Sequence, residues 1–126
     1  MKANTRMEKY FYIAATLLLT AYGQLVVKAR SIAIAGKGVS SRSDYLVNMF
    51  TDLGVISGLA AAVVASACWT LAIQRTSLGV AYPFMALTFF LVPVGSVLLF
   101  GERLSMLQVV GLVTIVVGVT VSAVGA

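Results

Sequence analysis

The chain has 126 residues, 60% of them hydrophobic and only 10% charged, too few charges to coat a soluble domain of that size. It has no histidine, which excludes imidazole base catalysis and histidine metal ligation, and its one cysteine, Cys68, excludes an intramolecular disulfide and a cysteine zinc site. The formal charge of +5 comes from nine basic residues scattered along an apolar chain, which points to anionic lipid headgroups and away from nucleic acid.

The apolar surplus is arranged as an all-α integral membrane protein. Four segments approach the roughly 20 apolar residues that cross a bilayer: about residues 10–28, 53–74, 79–100 and 106–125. Residues 1–126 are therefore expected to form a single four-helix transmembrane domain. The first segment follows Lys2, Arg6 and Lys9 like a signal peptide, but its apolar run is longer and no small-x-small site precedes Lys28, so a retained helix is expected. Cys68 sits in an apolar run and reads as a small packing residue.

Helix one carries Tyr12, Thr16, Thr20, Gln24 and Lys28, each four residues after the last. At about 100° per residue, each step of four drifts by about 40°, so this set forms a polar stripe winding gently along one side. Helix two carries Ser66, Thr70 and Gln74 beside Trp69. Polar side chains in lipid are costly unless they face a cavity or a neighbouring helix. The two stripes could line a groove of headgroup size; alternatively the hydroxyls bond back to their own helix carbonyls.

Between these helices, residues 29–52 form the one long connection. Ser43 and Asp44 resemble a helix start, and Tyr45, Leu46, Met49, Phe50 and Leu53 recur at helical spacing. The pattern fits a short interfacial helix between helices one and two, or an extension of helix two past the bilayer surface. The later connections are only a few residues long, so helices two, three and four must run as antiparallel neighbours.

Small residues mark packing faces. Gly54 and Gly58 form a GxxxG, and Gly111, Thr114, Gly118 and Ser122 make a strip along helix four. The helix-four strip is a candidate for dimerisation or for packing within the chain. Helix three contains Pro83 and Pro93; Pro93 removes a backbone hydrogen bond in mid-membrane, and both are hinge candidates. Helices one and three run in the same direction, so Lys28, Arg30, Glu102 and Arg103 meet one membrane surface. Three cations there suit a phosphate oxyanion, although Arg30 and Arg103, taken individually, read rather as snorkelling at helix ends. Lys28 and Glu102 are a candidate ion pair. Basic residues divide four against five across the membrane, so the positive-inside rule sets no orientation.

The residues Gly23-Gln24-Leu25-x-x-Lys28, Trp69-x-Leu71, Gly79-Val80-Ala81-Tyr82-Pro83, Glu102, Gly111 and Gly118 resemble a known pattern. It is that of the small-multidrug-resistance-like branch of the drug/metabolite transporter (EamA-like) superfamily. Within that branch, it is similar to the subunits proposed to flip aminoarabinose-phosphoundecaprenol in Gram-negative bacteria. The resemblance covers nearly the whole chain and is weakest over residues 29–52. It implies a multi-pass protein of the bacterial inner membrane that moves an undecaprenyl-phosphate-linked sugar. It also implies a homodimer or a heterodimer with a similar four-helix subunit. Two departures stand out: Thr20 occupies the place of the membrane-embedded glutamate of the multidrug exporters, and Arg103 follows Glu102 where the aminoarabinose subunits usually have proline.

The leading expectation is thus a flippase subunit for a polyprenyl-phosphate lipid or lipid-linked sugar. Lys28, Arg30, Arg103 and Gln24 would engage the phosphate end, and Thr16, Thr20, Trp69, Thr70, Tyr82 and Glu102 would line the cavity. A proton-coupled exporter of small molecules, using Glu102, is the second reading, and a non-transporting accessory subunit the third. No nucleophile, metal set or acid–base pair is arranged in the chain, so neither an enzyme nor a cofactor is expected.

Overall fold

The computed structural model describes residues 2–125, which form six helices and no strand: α1 (Lys2–Ala35), α2 (Arg42–Thr51), α3 (Leu53–Gln74), α4 (Leu78–Met85), α5 (Thr88–Phe100) and α6 (Met106–Gly125). Four stretches are long and apolar enough to cross a membrane: Arg6–Ala35, Leu53–Gln74, Leu78–Phe100 (α4 and α5 together) and Met106–Gly125. The protein is a multi-pass membrane protein. Its surface agrees with that: Leu98, Leu107 and Val124 are among many large apolar side chains left exposed, a coat only lipid or other helices can cover.

α1 packs most extensively on α3. Small residues make this possible. A Cβ on Gly58 would lie 3.1 Å from the Val27 side chain and 3.2 Å from the Gly23 carbonyl oxygen. The core is correspondingly thin and lies in two clusters. Ile13, Leu17, Ala72 and Ala81 pack with Trp69 and Phe84 where α1, α3 and α4 meet. Ile34, Met49 and Val55 pack with Val27 and Tyr45 at the other end of α1, seating α2 on the bundle.

The connection between α1 and α3 contains a separate short helix. The Ser41 hydroxyl accepts the Asp44 amide at 3.2 Å, capping α2, and Asp52 ends it with extended backbone (φ −75°, ψ 132°). The Asp52 carboxylate then accepts the Val55 amide at 3.1 Å, so one residue closes α2 and opens α3. That cap is the physical reason why α2 is no extension of helix two. α1 in turn runs further at both ends than the apolar segment 10–28, because nothing in residues 28–35 breaks a helix.

The third membrane span is interrupted at Ala86 and Leu87, not at Pro83 or Pro93, each of which lies inside a helix. Here Leu87 N–H donates to the Phe84 carbonyl (3.1 Å), Phe89 N–H to Ala86 (3.0 Å) and Phe90 N–H to Leu87 (3.0 Å), the tighter three-residue spacing. Gly101 ends α5 in the left-handed conformation (φ 65°), as helix C-termini favour. α6 begins with a reciprocal cap: the Gln108 amide donates to the Ser105 hydroxyl (3.2 Å), and the Ser105 amide to the Gln108 side-chain oxygen (2.8 Å).

Candidate functional site

The polar stripe of α1 faces a cavity of about 570 Å³ walled by α1, α3 and α4. Thr16, Thr20 and Gln24 form one wall, Ser66 and Trp69 another, and Tyr82 a third. Gly23, Gly58, Ala62 and Ala65 also line it, and their small side chains leave the space that larger residues would fill. Gln24, Ser66 and Tyr82 are exposed, so the cavity opens to one side. The Trp69 and Tyr82 rings meet edge to face, 5.4 Å between centroids and 89° between planes. The volume falls within the roughly 300–1,000 Å³ of small-ligand sites. No charged side chain lines it.

Hydroxyls on both stripes also bond back to their own helices. Thr16 donates to the Tyr12 carbonyl at 2.7 Å, and Ser66 to the Ala62 carbonyl at 2.9 Å. Cavity lining and back-bonding therefore coexist. Thr70, expected in the lining, lies outside it: one step of four beyond Ser66 it has turned to an exposed face, where it donates to the Ser66 carbonyl at 2.9 Å.

The expected cationic cluster separates into pairs. Arg30 donates twice to Asp52, Nε to Oδ2 and Nη2 to Oδ1, both at 2.9 Å. Those hydrogen bonds hold the Asp52 carboxyl below the usual carboxylate range, against the opposing effect of burial. The aliphatic stem of Arg30 passes so close to Gly54 that a Cβ there would lie 2.6 Å from it. Arg30 is thus committed to a structural pair and away from the cavity.

Lys28 Nζ lies 3.7 Å from Glu102 Oε1, an ion pair beyond hydrogen-bonding distance. Glu102 lies outside the cavity wall, and its other oxygen accepts the Ser96 hydroxyl at 2.8 Å. Lys28 follows Gln24 by one turn and is rotated about 40° towards the face packed on α5, where Leu25 meets Gly95. It lies outside the cavity lining, one turn beyond Gln24. Arg103 is exposed and makes no ion pair among the described residues. At the opposite end, Arg75 pairs with Glu8 at 3.4 Å, about 30 Å from Lys28 along α1.

Two partners escaped the sequence reading. Asp52 was readable as a helix cap beside an apolar run, whereas Ser96, inside a Val/Leu segment, carried no signal. Of the glycines, Gly54 and Gly58 meet α1, while a Cβ on Gly111 or Gly118 would meet nothing within 4 Å. The α6 strip is therefore unused within the chain. Among the described residues no group of three or more His, Cys, Asp or Glu could hold a metal ion.

Residues 11–124 match the model of the EamA-like transporter family. A Pseudomonas paraeruginosa protein named "Probable 4-amino-4-deoxy-L-arabinose-phosphoundecaprenol flippase subunit ArnE" is 36% identical, covering 85% of this chain and 90% of that one. Its Pseudomonas aeruginosa namesake is 33% identical over the same shares. An Enterobacter protein bearing the ArnF form of the name is 30% identical over 68% of this chain and 69% of its own. No solved structure matches the chain significantly. With nearly its whole length matched, the chain belongs to the EamA-like transporter family.

Proposed function

We propose that the chain is one subunit of a flippase of the bacterial inner membrane that moves an undecaprenyl-phosphate-linked aminosugar, or a similar sugar, between leaflets. The observation that carries this reading is an uncharged, mostly apolar cavity that bears Thr20, Gln24 and Ser66, with Lys28 one helical turn beyond Gln24. A sugar is recognised by hydroxyl and amide hydrogen bonds and by the flat face of an aromatic ring. Thr20, Gln24, Trp69 and Tyr82 supply those groups. The lipid phosphate, one bond beyond the sugar, then falls to Lys28, and the polyprenyl tail leaves through the open side into the bilayer. Arg30 has no part in this, being held by Asp52, while Arg103 is free to approach the headgroup from the surface.

The names of the relatives support both the substrate class and the word subunit. One chain walls the cavity on three sides only, so a second four-helix subunit, identical or similar, completes it, with the open Gly111 and Gly118 face of α6 available for contact. The proton-coupled exporter reading loses ground because no carboxylate lines the cavity and Thr20 stands on its wall.

Binding of undecaprenyl phosphate to the purified chain, followed by native mass spectrometry, tests the reading. Lys28→Ala is expected to weaken binding about tenfold, the scale of a lost charge-assisted hydrogen bond. Equal binding by the variant removes Lys28 from the site.

A further inference from the structure

The two ion pairs at the Lys28 end are built differently. Arg30 and Asp52 close on each other bidentately at 2.9 Å, and Asp52 also caps α3. Lys28 and Glu102 stand 3.7 Å apart, with side chains 50% and 43% exposed. The first is a fixture of the fold; the second can open.

Glu102 nevertheless has a second contact that keeps it near α5. Gly101, at φ 65°, turns the chain back over the last turn of α5, and the buried Ser96 hydroxyl holds Oε2 at 2.8 Å. That hydroxyl has one hydrogen to share between Oε2 and the Pro93 carbonyl at 2.9 Å, and the other carboxylate oxygen faces the lysine. The charged groups around the carboxylate are Lys28 from α1 and Arg103 next in the chain. Arg30 and Asp52 at the same end satisfy each other, and the first turn of α6 carries no charge. Among the described residues, Lys28 is thus the cation that pairs with Glu102, while Arg103 makes no ion pair.

A site that moves an anion must release it as well as hold it, and a lysine with no competing anion would hold a phosphate in the bilayer interface too long. We propose that Glu102 is the resident counter-ion of Lys28. It yields the lysine when a lipid phosphate arrives and reclaims it as the phosphate leaves. This rests on the reading of Lys28 as the phosphate contact. It gives Glu102 a role in release that needs no place in the cavity wall, and it makes Ser96 a positioning residue that keeps the competitor within reach.

The experiment measures affinity and dissociation of undecaprenyl phosphate from the full-length chain in nanodiscs. Glu102→Gln keeps the size and the Ser96 contact but removes the competing charge. It is expected to bind the lipid about fivefold more tightly, the scale of an ion pair at this exposure, with the gain in slower dissociation. Ser96→Ala shifts in the same direction by less, and serves if Glu102→Gln does not fold. Lys28→Ala/Glu102→Gln behaves as Lys28→Ala alone. Inorganic phosphate at the same concentration as the lipid binds far more weakly; equal binding makes the site one for free phosphate and overturns the lipid exchange. Unchanged or weaker binding in Glu102→Gln, with Lys28→Ala still impaired, overturns the counter-ion role and leaves the flippase reading standing. Wild type and Lys28→Ala binding alike brings down both.

Discussion

Gly23 and Gly58 meet across α1 and α3 so closely that a Cβ on Gly23 would lie 3.0 Å from the Gly58 carbonyl oxygen. The obstacle is backbone, which cannot move aside as a flexible side chain can. Both glycines also line the cavity, so the contact that joins the helices sets the depth of the site.

Gly23→Ala is therefore expected to lower stability by about 1–3 kcal/mol, the cost of overpacking a tight contact. Thermal unfolding in detergent measures it. Gly118→Ala is the control, since a Cβ there meets nothing within the chain. If Gly118→Ala leaves the melting temperature of the monomer intact but weakens self-association on a sizing column, α6 is the face between subunits. A fall in monomer stability as large as that of Gly23→Ala contradicts the open α6 face.

The Arg30–Asp52 pair predicts a pH dependence. Arg30 lowers the Asp52 carboxyl from its ordinary value of 3.8, so the folded state holds a carboxylate that the unfolded chain would already protonate. The stabilisation is complete above 3.8 and fades as pH falls through the lower folded value. Asp52→Asn should melt below wild type at pH 7, and the gap should close as the pH drops beneath 3.8. A gap that stays constant would mean that the carboxylate contributes nothing through its charge. The helix cap, which asparagine retains, is unaffected.

Much of this arrangement is written in local pattern. Runs of about 20 apolar residues, the first three ending in charge, mark the spans, and the four-residue spacing of Thr16, Thr20 and Gln24 marks one face of α1 because a helix repeats every 3.6 residues. What pattern cannot carry is which partner a residue finds after the chain turns back. Arg30 reads as a free cation because Asp52 is 22 residues away, behind a separate helix. Thr70 reads as part of a stripe, but a drift of about 40° per step takes it off a narrow wall. The α6 glycines show that close approach is possible without showing to what.

The aromatic pair gives a test of sugar recognition. Tyr82 is 60% exposed and Trp69 packs partly into the Ile13 cluster, so Tyr82→Ala perturbs the fold less. If these rings hold the sugar, Tyr82→Ala and Trp69→Ala should each weaken binding of the sugar-linked lipid relative to bare undecaprenyl phosphate. A ratio change of about two- to tenfold corresponds to one aromatic contact. Equal losses for both lipids would show that the rings support the fold alone.

The interruption at Ala86 and Leu87 lies between Pro83 and Pro93, each of which removes one backbone donor from its own helix. Pro83 offers no N–H to the Gly79 carbonyl and Pro93 none to Phe89, so a missing bond flanks the segment on each side. The chain answers with the tighter turns at Leu87, Phe89 and Phe90. Met85 lines the cavity on one side of this break, and Leu87 and Leu91 pack on the Trp69 cluster on the other. Bending here would change the cavity without breaking the α1–α3 contact. Pro93→Ala restores a donor to the Phe89 carbonyl and should slow amide exchange across residues 86–91. If the break is the hinge, lipid translocation in proteoliposomes falls in the same variant while undecaprenyl phosphate affinity is unchanged. Slower exchange with full translocation would make the prolines a matter of packing, and the moving part would have to be sought at the subunit contact.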